Sequence, residues 1–299
     1  MPPSFQTLAL SPILPLHSLA HSPDFEMNPE GSEIRHLAGG DRDILLREEP
    51  LILEIDGNTL LTMRTPGRDV DLASGFLLAE GIVDHLDEIE SLSRKPGRPL
   101  SEPASAGESD SPILDRMQIK TRTHRDSPRR DALRRIQEIR PSCGLCGLED
   151  LHELVPQGLA FQEARPCFSQ GMLEQVLEDF HEQQVLFRAT GASHSAAFYS
   201  PTGELQGMGE DVGRHNALDK AIGQAFREVG SVSESLLLLS GRAGYELVAK
   251  ALRVGCPVMV SVSAASSLSF DLCREVGATL IGFARGSQRR IYWDEGRLV

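Results

Sequence analysis

The sequence predicts an α/β fold: a mixed or parallel sheet with flanking helices, preceded by a smaller N-terminal α+β part. Three observations carry this. The runs LLLLS (236–240), VMVSVS (258–263) and ATLIGF (278–283) are short and almost wholly apolar, as strands buried on both faces must be. The stretches between them have helical spacing and stop at Gly255 and Gly277, giving βαβαβ, which right-handed crossovers turn into a parallel sheet. Well ahead of them, residues 50–64 alternate as a hairpin does.

In chain order, residues 1–42 carry no such pattern and are expected to form a weakly ordered extension. The N-terminal part spans 43–140. Leu51, Leu53 and Ile55 alternate with Ile52, Glu54 and Asp56; Gly57–Asn58 turns the chain and Leu60–Met63 returns. Pro66–Gly67 ends the hairpin, and Asp69 or Asp71 is placed to cap a helix bearing Leu72, Ala73, Phe76 and Leu77. The polar stretch RKPGRPLSEPASAGESDSP (94–112) reads as a disordered surface insertion. A short strand, Met117–Thr121, and a basic helix over 128–140 lead to a mobile glycine-rich loop, PSCGLCG, within 141–150. The second domain spans 151–299. It opens with a helical face over 171–188 (Met172, Leu173, Val176, Leu177, Phe180). His194–Tyr199 is a strand, turned by Pro201–Thr202–Gly203 into 204–209. A helix follows over 217–229, before the three buried strands.

The totals bound the function. The chain has 299 residues, 40% hydrophobic, enough for a sizeable core. Its net charge of −13 argues against a general nucleic-acid binder, which needs clustered cations. No window approaches 18 uninterrupted apolar residues, so no membrane span is expected. The first basic residue is Arg35, so the apolar start lacks the positive region of a signal peptide; the expected location is the cytoplasm, where thiols stay reduced. Five cysteines, an odd number, fit a thiol protein better than a disulfide framework.

In a parallel sheet the loops after the strands meet at the carboxyl edge, where ligands bind. Here those loops are Ser240–Gly241–Arg242, Ser263–Ala264–Ala265–Ser266 and Phe283–Ala284–Arg285–Gly286–Ser287–Gln288. They are small, hydroxylic and twice arginine-bearing, and helices start beside them, so a phosphate or nucleotide site is expected there. In GEDVGRHNALDK (209–220), Arg214, His215 and Asn216 stand just ahead of an apolar helix as donors to an anion, with Asn216 also a plausible cap. Gly207, Gly209 and Gly213 have GxGxxxG spacing, a weak likeness to a phosphate loop. His194 lies in a strand, where a lone histidine is more often packed than catalytic. Cys167, Cys256 and Cys273 stand alone and read as structural.

The pair Cys143 and Cys146 in CGLCG admits three readings. A zinc half-site needs two further ligands, and downstream there are His152 and Cys167 but no second Cys-x-x-Cys. A hydrolytic zinc site of the deaminase kind needs His-x-Glu upstream, which is absent. A thioredoxin-type pair belongs at a strand-to-helix junction, whereas this one is flanked by Pro and Gly after a basic helix. Uncovered sulfurs on a flexible backbone, with Arg134, Arg135 and Arg140 nearby to favour thiolate, suit a thiol that visits two partners.

Together the stretches MRTPGRDVDLASGFLLAEGIV (63–83), SCGLCG (142–147), TGASHSAAF (190–198), GEDVGRHNALDKAIG (209–223), SGRAGYELVAKA (240–251) and Gly255 to Gly286 resemble the formate dehydrogenase accessory sulfurtransferase family (FdhD). The resemblance implies a cytidine deaminase-like fold without zinc chemistry, and a homodimer. It implies an enzyme that takes sulfur from a cysteine desulfurase as a persulfide. The sulfur passes to the molybdenum bis(pterin guanine dinucleotide) cofactor, bound as substrate, for formate dehydrogenase. On that footing Cys143 carries the persulfide, Cys146 is the second thiol, and Phe283–Gln288 hold the cofactor. Arg242, His194, Arg214, His215 and Asn216 are expected in the same pocket. The competing expectations are a non-catalytic cofactor chaperone, with CGLCG as a docking loop, and a zinc-stabilised nucleotide-binding module.

Overall fold

The structure, a computed structural model, describes residues 29–97, 114–122, 158–161 and 166–299. Cys143, Cys146 and the expected helix over 128–140 lie outside the described residues.

The buried apolar runs form the heart of the molecule. Strands β9 (Leu236–Leu239), β10 (Val258–Ser261) and β11 (Thr279–Arg285) are parallel neighbours. Antiparallel strands complete a six-stranded mixed sheet: β7 (His194–Tyr199) and β8 (Leu205–Asp211) beyond β9, and β12 (Gln288–Trp293) beyond β11. Because side chains alternate along a strand, β9 serves two cores. Leu237 and Leu239 face α4 (Arg214–Val229), α5 (Tyr245–Arg253) and α6 (Ser267–Val276), while Leu236 and Leu238 face α2 (Gln170–Gln183). Helices α5 and α6 cover the same face, as successive right-handed crossovers in one direction require.

A second, four-stranded sheet covers the far side of those helices. It holds β3 (Glu49–Ile55), β4 (Asn58–Arg64), β5 (Ile89–Lys95) and β6 (Asp115–Thr121) in the order β4-β3-β6-β5. Helix α1 (Asp69–Ala79) follows β4 and lies against α4. Leu51, Leu53, Met117, Leu72 and Leu77 of this half pack in one continuous core with Leu218, Ile222, Leu247 and Leu237 of the other. The expected boundary between N-terminal part and second domain is thus a boundary in sequence only.

Several local expectations are corrected. Within the presumed extension, β1 (Ser32–His36) pairs with β2 (Arg42–Leu46) in an ordered hairpin. β5 runs to Lys95, two residues into the stretch expected to be disordered; residues 98–113 lie outside the described ones. The β3–β4 turn is Asp56–Gly57, both at positive φ, with Ile55 opposite Asn58. Neither Asp69 nor Asp71 caps α1, because both carboxylates are drawn into ion pairs. The helical face over 171–188 breaks at Gln184, giving α2 and a short α3 (Val185–Thr190), whose first amides donate to Glu210. Helix α4 starts at Arg214, not Ala217, with Gly213 as its N-cap and Asn216 inside its first turn. Strand β11 continues through Ala284–Arg285 into a hairpin with β12, so Phe283–Gln288 is a strand end and a tight turn, not a loop before a helix.

The end of β4 is anchored by charge. Arg64 is fully buried; its Nε and Nη2 reach Asp69 at 3.0 and 3.2 Å, and Nη2 reaches Asp115 at 2.6 Å. Arg94 closes the network on Asp115 at 2.9 Å. Burial alone would raise the Asp115 pKa, but the Gly97 amide and the Arg94 and Arg64 guanidiniums outweigh it and lower it from 3.8 to about 2. A carboxyl lowered on folding stabilises the fold above its unfolded value. That contribution is lost as pH falls from about 4 towards 2, and the shift corresponds to about 2 kcal/mol. Denaturant titrations at pH 5 and pH 2.5 are expected to show Asp115→Asn losing less stability on acidification than wild type by about that amount; equal losses would contradict the assignment.

Candidate functional site

The carboxyl edge of β9, β10 and β11 is also the edge where antiparallel β7 begins and β8 ends, since His194 pairs with Asp211 and Ala196 with Leu239. That brings the start of α4 to the loops after β9 and β10. These loops are tied to one another by short polar links. Ser195 and Ser240 exchange bonds at 2.8 and 3.0 Å. Ser261 Oγ donates to Gly241 O at 2.7 Å, Ala243 N to Ala264 O at 3.0 Å, and Phe283 N to Ser263 O at 2.9 Å. The small, hydroxylic composition noted in the sequence makes this lacing possible.

His194 is half-buried beside Gly241, where a Cβ would sit 3.3 Å from its Nδ1. Burial, then the Arg214 and Arg242 guanidiniums, lower its pKa. The edge is therefore locally positive in a chain of net charge −13. Arg214 and Arg242 are exposed, and among the described residues neither has an ion-pair partner. His215 Nε2 lies 2.6 Å from Glu246 Oε2 in the first turn of α5. The first turn of α4 holds no acidic residue, so its positive end is left to Arg214, His215 and whatever anion they meet.

Asn216 is differently employed. Its Nδ2 donates to Met63 O at 2.7 Å and to Asp211 Oδ1 at 3.2 Å, and its Oδ1 accepts from Thr62 at 3.3 Å. Beside it, Asp211 accepts from the Thr65 amide at 3.0 Å and pairs with buried Lys220 at 2.7 Å, and Lys220 donates to Thr65 O at 2.8 Å. Asp211, Asn216 and Lys220 thus fasten the turn after β4 to the edge.

Phe283–Gln288 occupies the far end of the same edge. From β7 to β11 is three strand spacings, roughly 14 Å, so His194 and Arg285 flank an elongated site rather than a compact one. Phe283 is 42% exposed at φ 53, a region costly for a residue with a side chain, and Arg290 stacks 5.2 Å from its ring centre. Ala284 is buried, and Arg285, Gly286, Ser287 and Gln288 are exposed.

The glycines that looked like a phosphate loop are packing residues. A Cβ on Gly209 would lie 2.1 Å from Ala217 O, and one on Gly207 2.6 Å from Ala221 O, so β8 is pressed backbone to backbone on α4. Cys256 and Cys273 are buried, which pushes their thiols up to about 12 and keeps them protonated; Cys167 is exposed, so burial does not account for it. Among the described residues no cluster of His, Cys, Asp and Glu could hold a metal ion, and no helix is long and apolar enough to cross a membrane. The residues that the sequence reading passed over are Glu246, Asp211 and Lys220. A signal existed for Lys220, which with Asp219 interrupts the apolar face of ALDKAIG.

Known proteins match this arrangement over most of its length. The chain is 38% identical over 262 residues to a protein of Streptomyces avermitilis named sulfur carrier protein FdhD, covering 86% of this chain and 89% of that one. A protein of the same name from Anaeromyxobacter dehalogenans is 38% identical over 268 residues, covering 87% and 90%. The crystal structure of a candidate formate dehydrogenase accessory protein from Desulfotalea psychrophila superposes with a TM-score of 0.65 at 20% identity, covering 90% of this chain and 98% of that one, which shows the shared mixed α/β fold. Residues 46–299 match the family described as FdhD/NarQ, and the chain belongs to that family.

Proposed function

We infer that this chain is a sulfur carrier and sulfurtransferase of formate dehydrogenase maturation. The observation that carries the reading is a Cys-x-x-Cys pair, Cys143 and Cys146, in a chain 38% identical over 262 residues to a protein named a sulfur carrier. The Cys143 thiolate attacks the outer sulfur of a cysteine desulfurase persulfide. The S–S bond breaks, the desulfurase leaves as its thiolate, and Cys143 keeps S–SH. Delivery as sulfide takes two electrons. Cys146 thiolate supplies them by attacking Cys143 Sγ, which forms a Cys143–Cys146 disulfide and releases HS⁻. The acceptor is the molybdenum bis(pterin guanine dinucleotide) cofactor, bound as substrate and not held permanently. A positive edge roughly 14 Å long, ending in Arg285 and flanked by Arg214 and Arg242, suits its phosphate-bearing tails. The reading includes a cytidine deaminase-like sheet put to a use without zinc, a homodimer, a location in the cytoplasm and formate dehydrogenase as client.

The test is intact-mass spectrometry after incubation with a cysteine desulfurase and cysteine, without reductant. Wild type is expected to gain one sulfur atom, reversed by dithiothreitol, and Cys143→Ala none. No gain on wild type, with the desulfurase shown active alongside, would replace this reading with a non-catalytic cofactor chaperone.

A further inference from the structure

The hairpin of β1 and β2 is a two-stranded sheet by itself, and apolar side chains on it are turned to solvent: Ile34 is 51% exposed and Leu45 41%. A lone hairpin is marginal in water and gains stability from further strands that share an apolar face. The family match begins at residue 46, so this hairpin stands almost wholly ahead of the shared fold. β2 touches α3, whereas among the described residues no strand lies along the other edge of β1.

The backbone of that edge faces outward at defined positions. Arg47 N donates to Gly31 O and Leu37 N to Asp41 O, which fixes the alternation of the ladder. Glu33 and Arg35 therefore spend their backbone groups on β2, and Ile34 and His36 point theirs away from it. The edge reads Ser32–Glu33–Ile34–Arg35–His36, which is self-complementary about Ile34. Laid antiparallel on a second copy with Ile34 opposite Ile34, it sets Glu33 opposite Arg35 on both sides of the axis, in the closer, non-hydrogen-bonded positions. Registers centred one residue to either side would put Glu33 on Glu33 or Arg35 on Arg35, so charge selects this one. Within each hairpin Ile34 already faces Ile44, and Arg35 faces Asp43. The joined sheet thus carries an unbroken apolar row, Ile44–Ile34–Ile34–Ile44, on one face. On the other, Asp43, Arg35 and the Glu33 of the second copy alternate in sign.

We propose that β1 is a self-association edge, by which two copies of this chain join antiparallel about a twofold axis at Ile34. The proposal rests on the homodimer of the reading above and gives it an interface. Ile34 supplies the apolar burial; exposed ion pairs add little affinity and set the register instead. The strands are five residues long, so the joint is small and the dimer dissociates in the micromolar range.

Sedimentation velocity on the full chain tests this. Wild type is expected to pass from monomer to dimer with rising concentration, and Ile34→Lys to stay monomeric with its far-ultraviolet circular dichroism unchanged. Leu205→Lys, on the edge strand β8, should dimerise as wild type does. Glu33→Arg and Arg35→Glu are each expected to weaken association about tenfold, and an equimolar mixture of the two to regain it, because each then meets the opposite charge across the axis. Damage to the hairpin could not be repaired by mixing. A dimer that survives in Ile34→Lys, or a mixture no tighter than its components, would overturn the interface and leave the homodimer standing. Wild type that remains a monomer at about 100 µM would remove the homodimer and this interface together, and leave the sulfur-carrier reading to its own test.

Discussion

Gly223→Ala is expected to cost about 3 kcal/mol or more and to lower the urea midpoint sharply. A Cβ there would lie 2.0 Å from Asp71 O on α1, and the reciprocal Cβ at Gly75 would lie 1.8 Å from Asp219 O on α4. Both obstacles are backbone, so no side chain can swing aside. The helices would have to part by more than an ångström across the centre of the core that both sheets share. Alanine's better helix propensity returns only about 1 kcal/mol. Gly171 in α2 supplies the control, because a Cβ there meets nothing within 4 Å. Gly171→Ala is therefore expected to be neutral or mildly stabilising. Equal effects at the two sites would show that the α1–α4 contact is looser than described.

Arg64→Met is expected to be about as damaging, at roughly 3–5 kcal/mol. Methionine fills a similar volume, so the loss is electrostatic. It leaves Asp69, whose side chain is 4% exposed, with only the half-exposed Arg94 at 3.2 Å, which Asp69 must share with Asp115, itself held otherwise by the Gly97 amide. Arg64→Lys should recover little of this, since an ammonium cannot occupy the three directions in which Arg64 meets Asp69, Asp115 and Glu49. Adding Asp115→Asn to Arg64→Met should cost less than the separate losses combined, because the second change removes one of the two carboxylates that the first leaves sharing Arg94. Strict additivity, measured by denaturation, would mean these groups do not share one network.

What the sequence showed depended on burial. LLLLS, VMVSVS and ATLIGF are legible because strands covered on both faces must be apolar at every position. The β7–β8 hairpin and α4 are legible for related reasons: a turn with Gly203, and an apolar stripe closed by Gly230 at positive φ. By contrast, β5 reads IESLSRK and β12 reads QRRIYW; both are largely exposed, so neither shows an apolar alternation. The hairpin of β1 and β2 is equally exposed. At the candidate site, Arg242, Arg214 and the small loop residues stood out through the topology. Asp211 and Lys220 did not, because their partner Thr65 is 146 and 155 residues away, and no local pattern encodes such a meeting.

That separation also sets a clock. Thr65 and its α1 neighbours leave the ribosome long before Asp211, 146 residues later, and all of α4 follows after that. At elongation rates of about 5–20 residues per second the delay is roughly 7–30 s. For that whole interval the side of α1 that meets α4 has nothing to close against. The nascent chain is thus a sticky half-molecule for far longer than a helix needs to form, and its yield in the cell depends on what shields it during the wait.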